Sequence, residues 1–521
     1  MTTKTKTTQP NKLLAPGPRQ FRKAVFFRLP FAHTRRFVSP LIPSQKKTGG
    51  ARYFLLGGLP SPSSLVRQFV LLHISFHFIP QRRSHFALSL NSKSNNNKNT
   101  RTALTMSRAI SVIHRVRTIL PPLCVSQTSV KQAFVAAASK HAPNFRDTKW
   151  MEQCFDKSLI ESRYLMYDPV EALDDKHFAP NAIRARHWAE WREEFFWKKY
   201  GPLAGEAAQA VLKASDIDAA DVRHLLTCTG TTNGLGIDQA AKVLHGMLPR
   251  NVQRSNLIGL GCGGGAGSMN RANEFLRGNP KQAAMVMAVD GYGRQIPWAY
   301  QTLLRNYDAH IDRKVWYRNV FLPLVILSDA ASAVVLLGRE HPRFDKAVFQ
   351  DGSLGIVDSE SLTVPETDHV VGFTASELGQ FGMLSSLIPD SAGKYGEEVI
   401  RTLLHRNGLH PKDIAHWIIH PGGAKVLHKL EKSLQLPSTA FASSYHVLRH
   451  YGNATSPAVL MVLQHKLSQM PPATSREHIV MLAVGPGVTL EALLLERHPT
   501  PFIDGTTSAQ PNGDMSGATV L

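Results

Sequence analysis

The chain has 521 residues, 43% of them hydrophobic and 19% charged, with four cysteines and a formal net charge of +21. It is too apolar for a disordered chain and too poor in cysteine for a disulfide scaffold, and no run of about 18 apolar residues offers a membrane span. The charge sits at one end. Residues 1–146 hold 24 of the 60 Lys and Arg and none of the 39 Asp and Glu, which leaves 36 basic against 39 acidic groups, a net of −3, in residues 147–521. A nucleic-acid or anionic-membrane partner, which +21 would suggest, is therefore expected of residues 1–146 at most.

Residues 1–105 are rich in Arg, Lys, Ser and Pro and include the low-complexity run Asn91-Ser-Lys-Ser-Asn-Asn-Asn-Lys-Asn-Thr100. Such acid-free composition fits an organellar targeting segment, and equally a stretch translated upstream of a true start at Met106. Neither reading gives it a catalytic role. Residues 106–146 form a basic segment, loosely amphipathic over 106–120. Regular patterning begins at about residue 147. A helix is expected over 206–214 and a buried strand over 221–228. A Gly/Thr turn at 229–236 follows, then a helix to 244, a strand over 256–261 and a helix over 265–276. Strands are expected at 284–289 and 333–337. The second part repeats this grammar, with helices at 395–407, 424–434 and 456–467 and strands at 416–420, 479–484 and 489–495. Strands alternating with helices imply a layered α/β sheet, and two parts of similar order suggest an internal duplication. No residue-level repeat accompanies it. The tail beyond 497 is polar and rich in Pro, Gly, Ser and Thr, and is expected to be disordered.

Chemistry concentrates at four places. Cys262 stands in Ile258-Gly-Leu-Gly-Cys262-Gly-Gly-Gly265, where a strand runs into glycines and a helix starts. A helix N-terminus favours a thiolate, and the glycines let a thioester approach the backbone. Taken alone, the turn fits a small buried cysteine equally well. Cys124, Cys154 and Cys228 lack that setting, and without CxxC spacing no zinc site is indicated. His420 ends an apolar strand in Trp417-Ile-Ile-His420-Pro-Gly-Gly423. Asn453 lies in His450-Tyr-Gly-Asn453-Ala-Thr-Ser456-Pro, just before a helix start marked by Ser456 and Pro457. In isolation each fits ordinary turn or capping duty. Gly485-Pro486-Gly487 joins two apolar strands and alone says only that the chain turns tightly.

Together these pieces resemble the type III polyketide synthases, the chalcone synthase family of thiolase-fold condensing enzymes. The resemblance rests on Gly261-Cys262 with its following glycines, His420-Pro-Gly-Gly423, Tyr451-Gly-Asn453 with Ser456, Gly485-Pro-Gly487, and the early segment Asp156-Lys-Ser-Leu-Ile160 with Arg163-Tyr164. It spans roughly residues 147–497 and implies a layered αβαβα, thiolase-like fold made of two similar halves, 147–345 and 346–497, followed by a tail at 498–521. It further implies a catalytic set of Cys262, His420 and Asn453. Cys262 attacks an acyl-CoA, with His420 as the cation that keeps the thiol ionised. His420 and Asn453 stabilise the enolate formed when malonyl-CoA loses carbon dioxide. Acyl-CoA and malonyl-CoA are the substrates it implies, with no metal or redox cofactor, a homodimer as the assembly, and a cytoplasmic location unless residues 1–105 target an organelle.

The chain departs from that family at the CoA phosphates, where only Lys157 aligns clearly, with Lys149 nearby. The family's pocket phenylalanine after Val371 is also replaced: Gly372-Phe-Thr374 is followed by Ala375, and the stretch 290–319 is longer. Ala375, with Gly485, Pro486 and Gly487, is expected to line a roomier substrate pocket that takes a fatty acyl starter, giving resorcinol- or pyrone-type products. The nearest rival within the fold is a type III β-ketoacyl-ACP synthase, which shares Cys-His-Asn but uses a carrier protein and lacks the His-Pro-Gly-Gly run. A papain-like protease also uses Cys, His and Asn, but with its cysteine near the mature N-terminus.

Overall fold

The computed structural model describes residues 107–144, 146–174, 193–231, 244, 246–305, 314–376 and 379–500. Among the described residues thirteen strands run in chain order: β1 Ser111–Ile119, β2 Leu123–Ser126, β3 Ser162–Leu165, β4 Val222–Cys228, β5 Gln253–Leu257, β6 Ala283–Gly291, β7 Asp329–Gly338, β8 Leu354–Thr363, β9 Val371–Ser376, β10 Gly379–Leu384, β11 Ile414–Ile419, β12 Glu477–Gly485 and β13 Thr489–Arg497. Nine of them form one sheet in the order β5-β4-β6-β7-β1-β8-β13-β12-β11, while β2–β3 and β9–β10 are two-stranded ribbons.

The duplication expected from the element order is visible in the pairings. In one half β4 lies parallel to β6, β6 antiparallel to β7, and β7 antiparallel to β1. In the other, β11 lies parallel to β12, β12 antiparallel to β13, and β13 antiparallel to β8. Antiparallel β1 and β8 join the halves. Strands β6 and β7 are buried at every position, as expected of strands covered on both faces. Alternate residues go to different cores. Leu226, Val286 and Val334 from one half, and Ile418, Met481 and Leu493 from the other, close on the same two helices, Gly264–Gly278 and Ala458–Gln469. The opposite faces are covered by helix Glu193–Ser215 on the first half and by helices Ile388–Arg406 and Ala424–Ser433 on the second. Helix, half-sheet, paired helices, half-sheet and helix are the five layers of a thiolase-like αβαβα fold.

Several boundaries move. Regular structure begins well before residue 147, because β1 is the strand at the centre of the sheet and helix Gln127–His141 follows it. The basic segment that reads as amphipathic forms a strand because Val112, Ile113 and Val116 bury their branched side chains, and its polar groups find partners. His114 Nε2 meets the Ser215 carbonyl at 2.8 Å, and Arg115 pairs with Asp351 at 3.1 Å. Strand β5 lies at 253–257, not 256–261, and its polar sequence QRSNL gives no apolar signal. Strands β8 to β10 and helix Ala442–Tyr451 carry no expectation from the sequence. The leader at 1–105, most of the 229–236 turn with its following helix, and the tail beyond 500 lie outside the described residues. Among the described residues no helix is long and apolar enough to cross a membrane.

Candidate active site

Strand β5 leads into a single 3₁₀ turn, Gly261–Gly263, that carries Cys262, and helix Gly264–Gly278 starts at once. Gly261 has φ +45°, and a Cβ there would lie 2.8 Å from Pro486 Cδ. A Cβ on Gly265 would come within 2.4 Å of the Ser456 carbonyl oxygen, so the two central helices touch at their N-terminal ends only because this position is glycine. From the other side Gly485 presses on the same turn: a Cβ there would lie 2.3 Å from the Leu260 oxygen and 2.9 Å from the Gly263 nitrogen. The Gly485-Pro486-Gly487 loop thus buttresses the cysteine turn.

Asn453 comes from the second half, at the entry to helix Ala458–Gln469. Its backbone is clamped on both sides, N–H donating to the Ile326 oxygen (2.9 Å) and carbonyl accepting from Ser328 N (3.0 Å). Its Oδ1 accepts from Thr455 N at 2.9 Å, which leaves the amide nitrogen facing Cys262 Sγ at 4.0 Å. His420 follows the last residue of β11, its N–H donating to the Leu482 oxygen (2.8 Å) three residues before Gly485. The imidazole is 3% exposed, and neither ring nitrogen has a hydrogen-bond partner among the described residues. A Cβ on Gly422 would lie 3.3 Å from its Cδ2, so the Pro-Gly-Gly turn folds directly over the ring. A buried imidazole with two unsatisfied nitrogens is costly unless a ligand completes it.

A fourth residue ties the halves together. Asp290, fully buried at the end of β6, accepts through Oδ1 from Gly230 N (2.7 Å), Thr231 Oγ1 (3.0 Å) and Thr229 Oγ1 (3.1 Å). Through Oδ2 it accepts from Ser456 N at 2.9 Å and from the hydroxyls of Thr455 and Ser456. Thr455 holds φ +57°, a left-handed conformation that costs a β-branched residue roughly 1–2 kcal/mol and that these bonds fix. The signal was present: a lone acid closing the otherwise apolar run Ala-Ala-Met-Val-Met-Ala-Val-Asp290.

The family model of the chalcone and stilbene synthase N-terminal domain matches residues 97–291, and that of the C-terminal domain matches residues 356–499. The chain belongs to the chalcone and stilbene synthase family. It is similar to the curated 1,3,6,8-tetrahydroxynaphthalene synthase of Streptomyces peucetius, 29% identical over 365 residues that cover 65% of this chain and 90% of that one. It is also similar to type III polyketide synthase 21 of Oryza sativa, 28% identical over 295 residues, 56% of this chain and 71% of that one. A fungal type III polyketide synthase of known structure shares the fold at a TM-score of 0.61 and 22% identity, across 75% of this chain and all of that one. The chain is thus a type III polyketide synthase, a condensing enzyme of the acyltransferase type.

In this family member the electrostatics differ from the expected standing ion pair. Burial, with the negative charge of Asp290 behind it, pushes the Cys262 thiol up to about 12 despite the Asn453 amide. Burial pulls His420 down to about 3. Both shifts favour the neutral thiol and the neutral imidazole, with desolvation opposing the helix start; Cys262 itself is only partly shielded from solvent. Cys228, fully buried at the end of β4, is likewise raised to about 12 and is closed off from solvent.

The remaining expected residues fall further out. Lys157 caps the end of helix Thr148–Asp156, its Nζ donating to Gln153 Oε1 at 3.3 Å. The charges of Lys425, Arg318 and Lys157 all act on Cys154, which burial nonetheless raises to about 11, so Lys425 in the first turn after Pro-Gly-Gly joins Lys157 in one basic neighbourhood. Ala375 lies on β9 opposite Gln380 of β10; its side chain is outside the described part. Gly487 N reaches the Val371 oxygen on that same strand at 3.2 Å.

Proposed function

We propose that the enzyme joins an acyl-CoA starter to malonyl units by decarboxylative Claisen condensation, with Cys262, His420 and Asn453 as its catalytic residues. The reading rests chiefly on the Asn453 amide held toward Cys262 Sγ at 4.0 Å by the Thr455 N–H bond to its oxygen. In this reading both groups start neutral, and the bound substrate must lift His420 from its depressed value before the imidazole can take the thiol proton as general base. The Cys262 sulfur bonds to the acyl carbon, its proton passes to the imidazole, and the coenzyme A thiolate that departs takes that proton. Malonyl-CoA then loses carbon dioxide, and the electrons of the broken bond form an enolate. The Asn453 amide and a ring N–H of His420 donate to its oxygen. Attack of the enolate carbon on the acyl group releases Cys262 and lengthens the chain by two carbons.

Lys157 and Lys425 supply the positive charge for the CoA phosphates in this reading. The homodimer belongs to it as well: β5 ends the sheet, is paired only with β4 among the described residues, and is followed by Ile258, 48% exposed. For the starter we keep a medium or long acyl chain and a resorcinol- or pyrone-type product. The resemblance to chalcone synthases would put a phenylalanine near Ala375; an alanine there would leave room for several methylenes, each worth roughly 0.8 kcal/mol when buried. Incubation with a panel of acyl-CoAs and malonyl-CoA, with products read by mass spectrometry, tests this. Ala375→Phe should move the preference to shorter starters. A wild type that prefers an aromatic starter to every fatty acyl-CoA, or an unchanged preference in Ala375→Phe, refutes the fatty-acyl assignment.

A further inference from the structure

The early segment Glu161-Ser162-Arg163 contributes nothing to the chemistry above, yet Arg163 is 0% exposed, among the largest fully buried side chains of the described residues. No ion pair accompanies it among the described residues. The carboxylate whose charge reaches it, Asp329, is already occupied by Gly293 N (2.6 Å), Met166 N (2.9 Å) and Tyr200 Oη (3.0 Å). Arg163 instead gives Nη1 to two carbonyls, Leu324 at 2.8 Å and Leu327 at 2.9 Å.

Those carbonyls belong to the C-terminal end of helix Lys314–Ile326. A helix end presents four unpaired carbonyls and a partial negative charge, and here a buried cation meets them. Each carbonyl in the row has a donor. Tyr300 Oη shares the Leu324 oxygen (2.8 Å), Gln127 Nε2 takes that of Val325 (2.8 Å), and Asn453 N itself takes that of Ile326 (2.9 Å). Ser328 N returns a bond to the Asn453 oxygen at 3.0 Å. Asn453 is thus bonded on either side of Leu327, whose carbonyl Arg163 holds.

The segment also grips the helix that leads into Asn453. Glu161 N donates to the Arg449 oxygen (2.8 Å) and Ser162 Oγ to the His450 oxygen (2.8 Å), both in the last turn of Ala442–Tyr451. Gly452, at φ +72°, lets the chain pass over the arginine stem, because a Cβ there would lie 3.0 Å from Arg163 Cγ and 3.1 Å from the Ile326 oxygen. We propose that Arg163 is a positioning residue for the condensation step: by holding the Leu324 and Leu327 carbonyls it fixes the helix end that sets the height and aim of the Asn453 amide. This inference rests on the reading of Asn453 as an enolate donor. Cys262 hangs on a different turn, so acyl loading does not depend on Arg163.

The test separates the two half-reactions in the full chain. Cys262 acylation by a starter CoA is followed by intact mass spectrometry, and malonyl-dependent condensation by product formation. The variants are Arg163→Met, Arg163→Lys, Asn453→Ala and the double Arg163→Met/Asn453→Ala. Arg163→Met should load within about threefold of wild type yet lose condensation by about 10–100-fold, the scale on which a small misplacement slows a preorganised site. Arg163→Lys, which keeps the charge and a donor group but not the planar fork, should recover part of that loss, and the double variant should be no worse than Asn453→Ala. If Arg163→Met fails to fold, Arg163→Lys carries the test with the same split at smaller size. Equal loss of loading and condensation, or a double variant with multiplied defects, overturns the inference. A normal Arg163→Met beside a crippled Asn453→Ala overturns it alone. Full condensation by Asn453→Ala refutes the enolate reading and takes this inference with it.

Discussion

Replacing Asp290 by asparagine tests the junction between the halves and the charge behind the nucleophile in one variant. Six donors converge on the carboxylate, three on each oxygen. An amide keeps one oxygen, so whichever way it turns, three donors face an NH₂ group. Two of those three are hydroxyls, which can rotate toward other acceptors. The third is a backbone N–H, of Gly230 or Ser456, and cannot. One buried unsatisfied donor costs about 1–3 kcal/mol, and the weakened hydroxyl bonds to a former charge add to it, so a loss of about 2–4 kcal/mol is expected. For a chain of this size that lowers Tm by roughly 2–5 °C. The same substitution removes the negative charge that raises the Cys262 thiol. Alkylation of Cys262 by iodoacetamide at fixed pH should therefore accelerate while condensation slows, because the Thr455–Ser456 turn beside Asn453 has lost its anchor. Thermal unfolding and alkylation followed by mass spectrometry read the two effects. An Asn variant as stable as wild type, or one alkylated more slowly, would refute the reasoning.

Two further outcomes follow from the shifts at Cys262 and His420. With the thiol near 12, about one Cys262 in 10⁴ is thiolate at pH 8, so its alkylation rate should rise about tenfold per pH unit from 7 to 9; a rate flat across that range would reveal a standing thiolate–imidazolium pair. His420 is depressed to about 3 in the fold against about 6.5 unfolded. Between those values the unfolded chain binds the extra proton, so stability should fall as pH drops from 6.5 toward 3, by up to roughly 1.4 kcal/mol per unit from this residue. In His420→Gln that part of the slope should vanish in denaturant titrations taken at several pH values; an identical slope would mean that His420 is not buried neutral.

What the sequence made legible follows a physical rule. Strand β6, helix Gly264–Gly278 and helix Ala458–Gln469 were readable because they are apolar runs closed by glycine, serine or proline, and local chemistry alone decides them. The cysteine, histidine and asparagine turns were readable for the same reason. Strand β1 was not, because Arg115 and Arg117 make it look solvated, and only Asp351 and its neighbours, hundreds of residues away, explain its burial. Strand β5 is polar because it lies at the sheet's end, where alternation has no core to report. Asp290 and Arg163 were hidden in a third way: each is a charge made tolerable by backbone groups from distant segments, and no local pattern encodes such partners. The direction of the thiol shift was also illegible, since the helix start is local and desolvation is not.

The claim on which everything else rests is that Cys262 carries the growing chain. Intact-mass spectrometry of the protein after incubation with an acyl-CoA measures it directly. Wild type should gain the mass of one acyl group, mapped by peptide analysis to Cys262, and lose it when malonyl-CoA is added, while Cys262→Ala should gain none and form no product. Cys228→Ala, with its thiol sealed at the end of β4, should acylate as wild type does. An acyl adduct on Cys262→Ala, or undiminished product from it, would contradict the account.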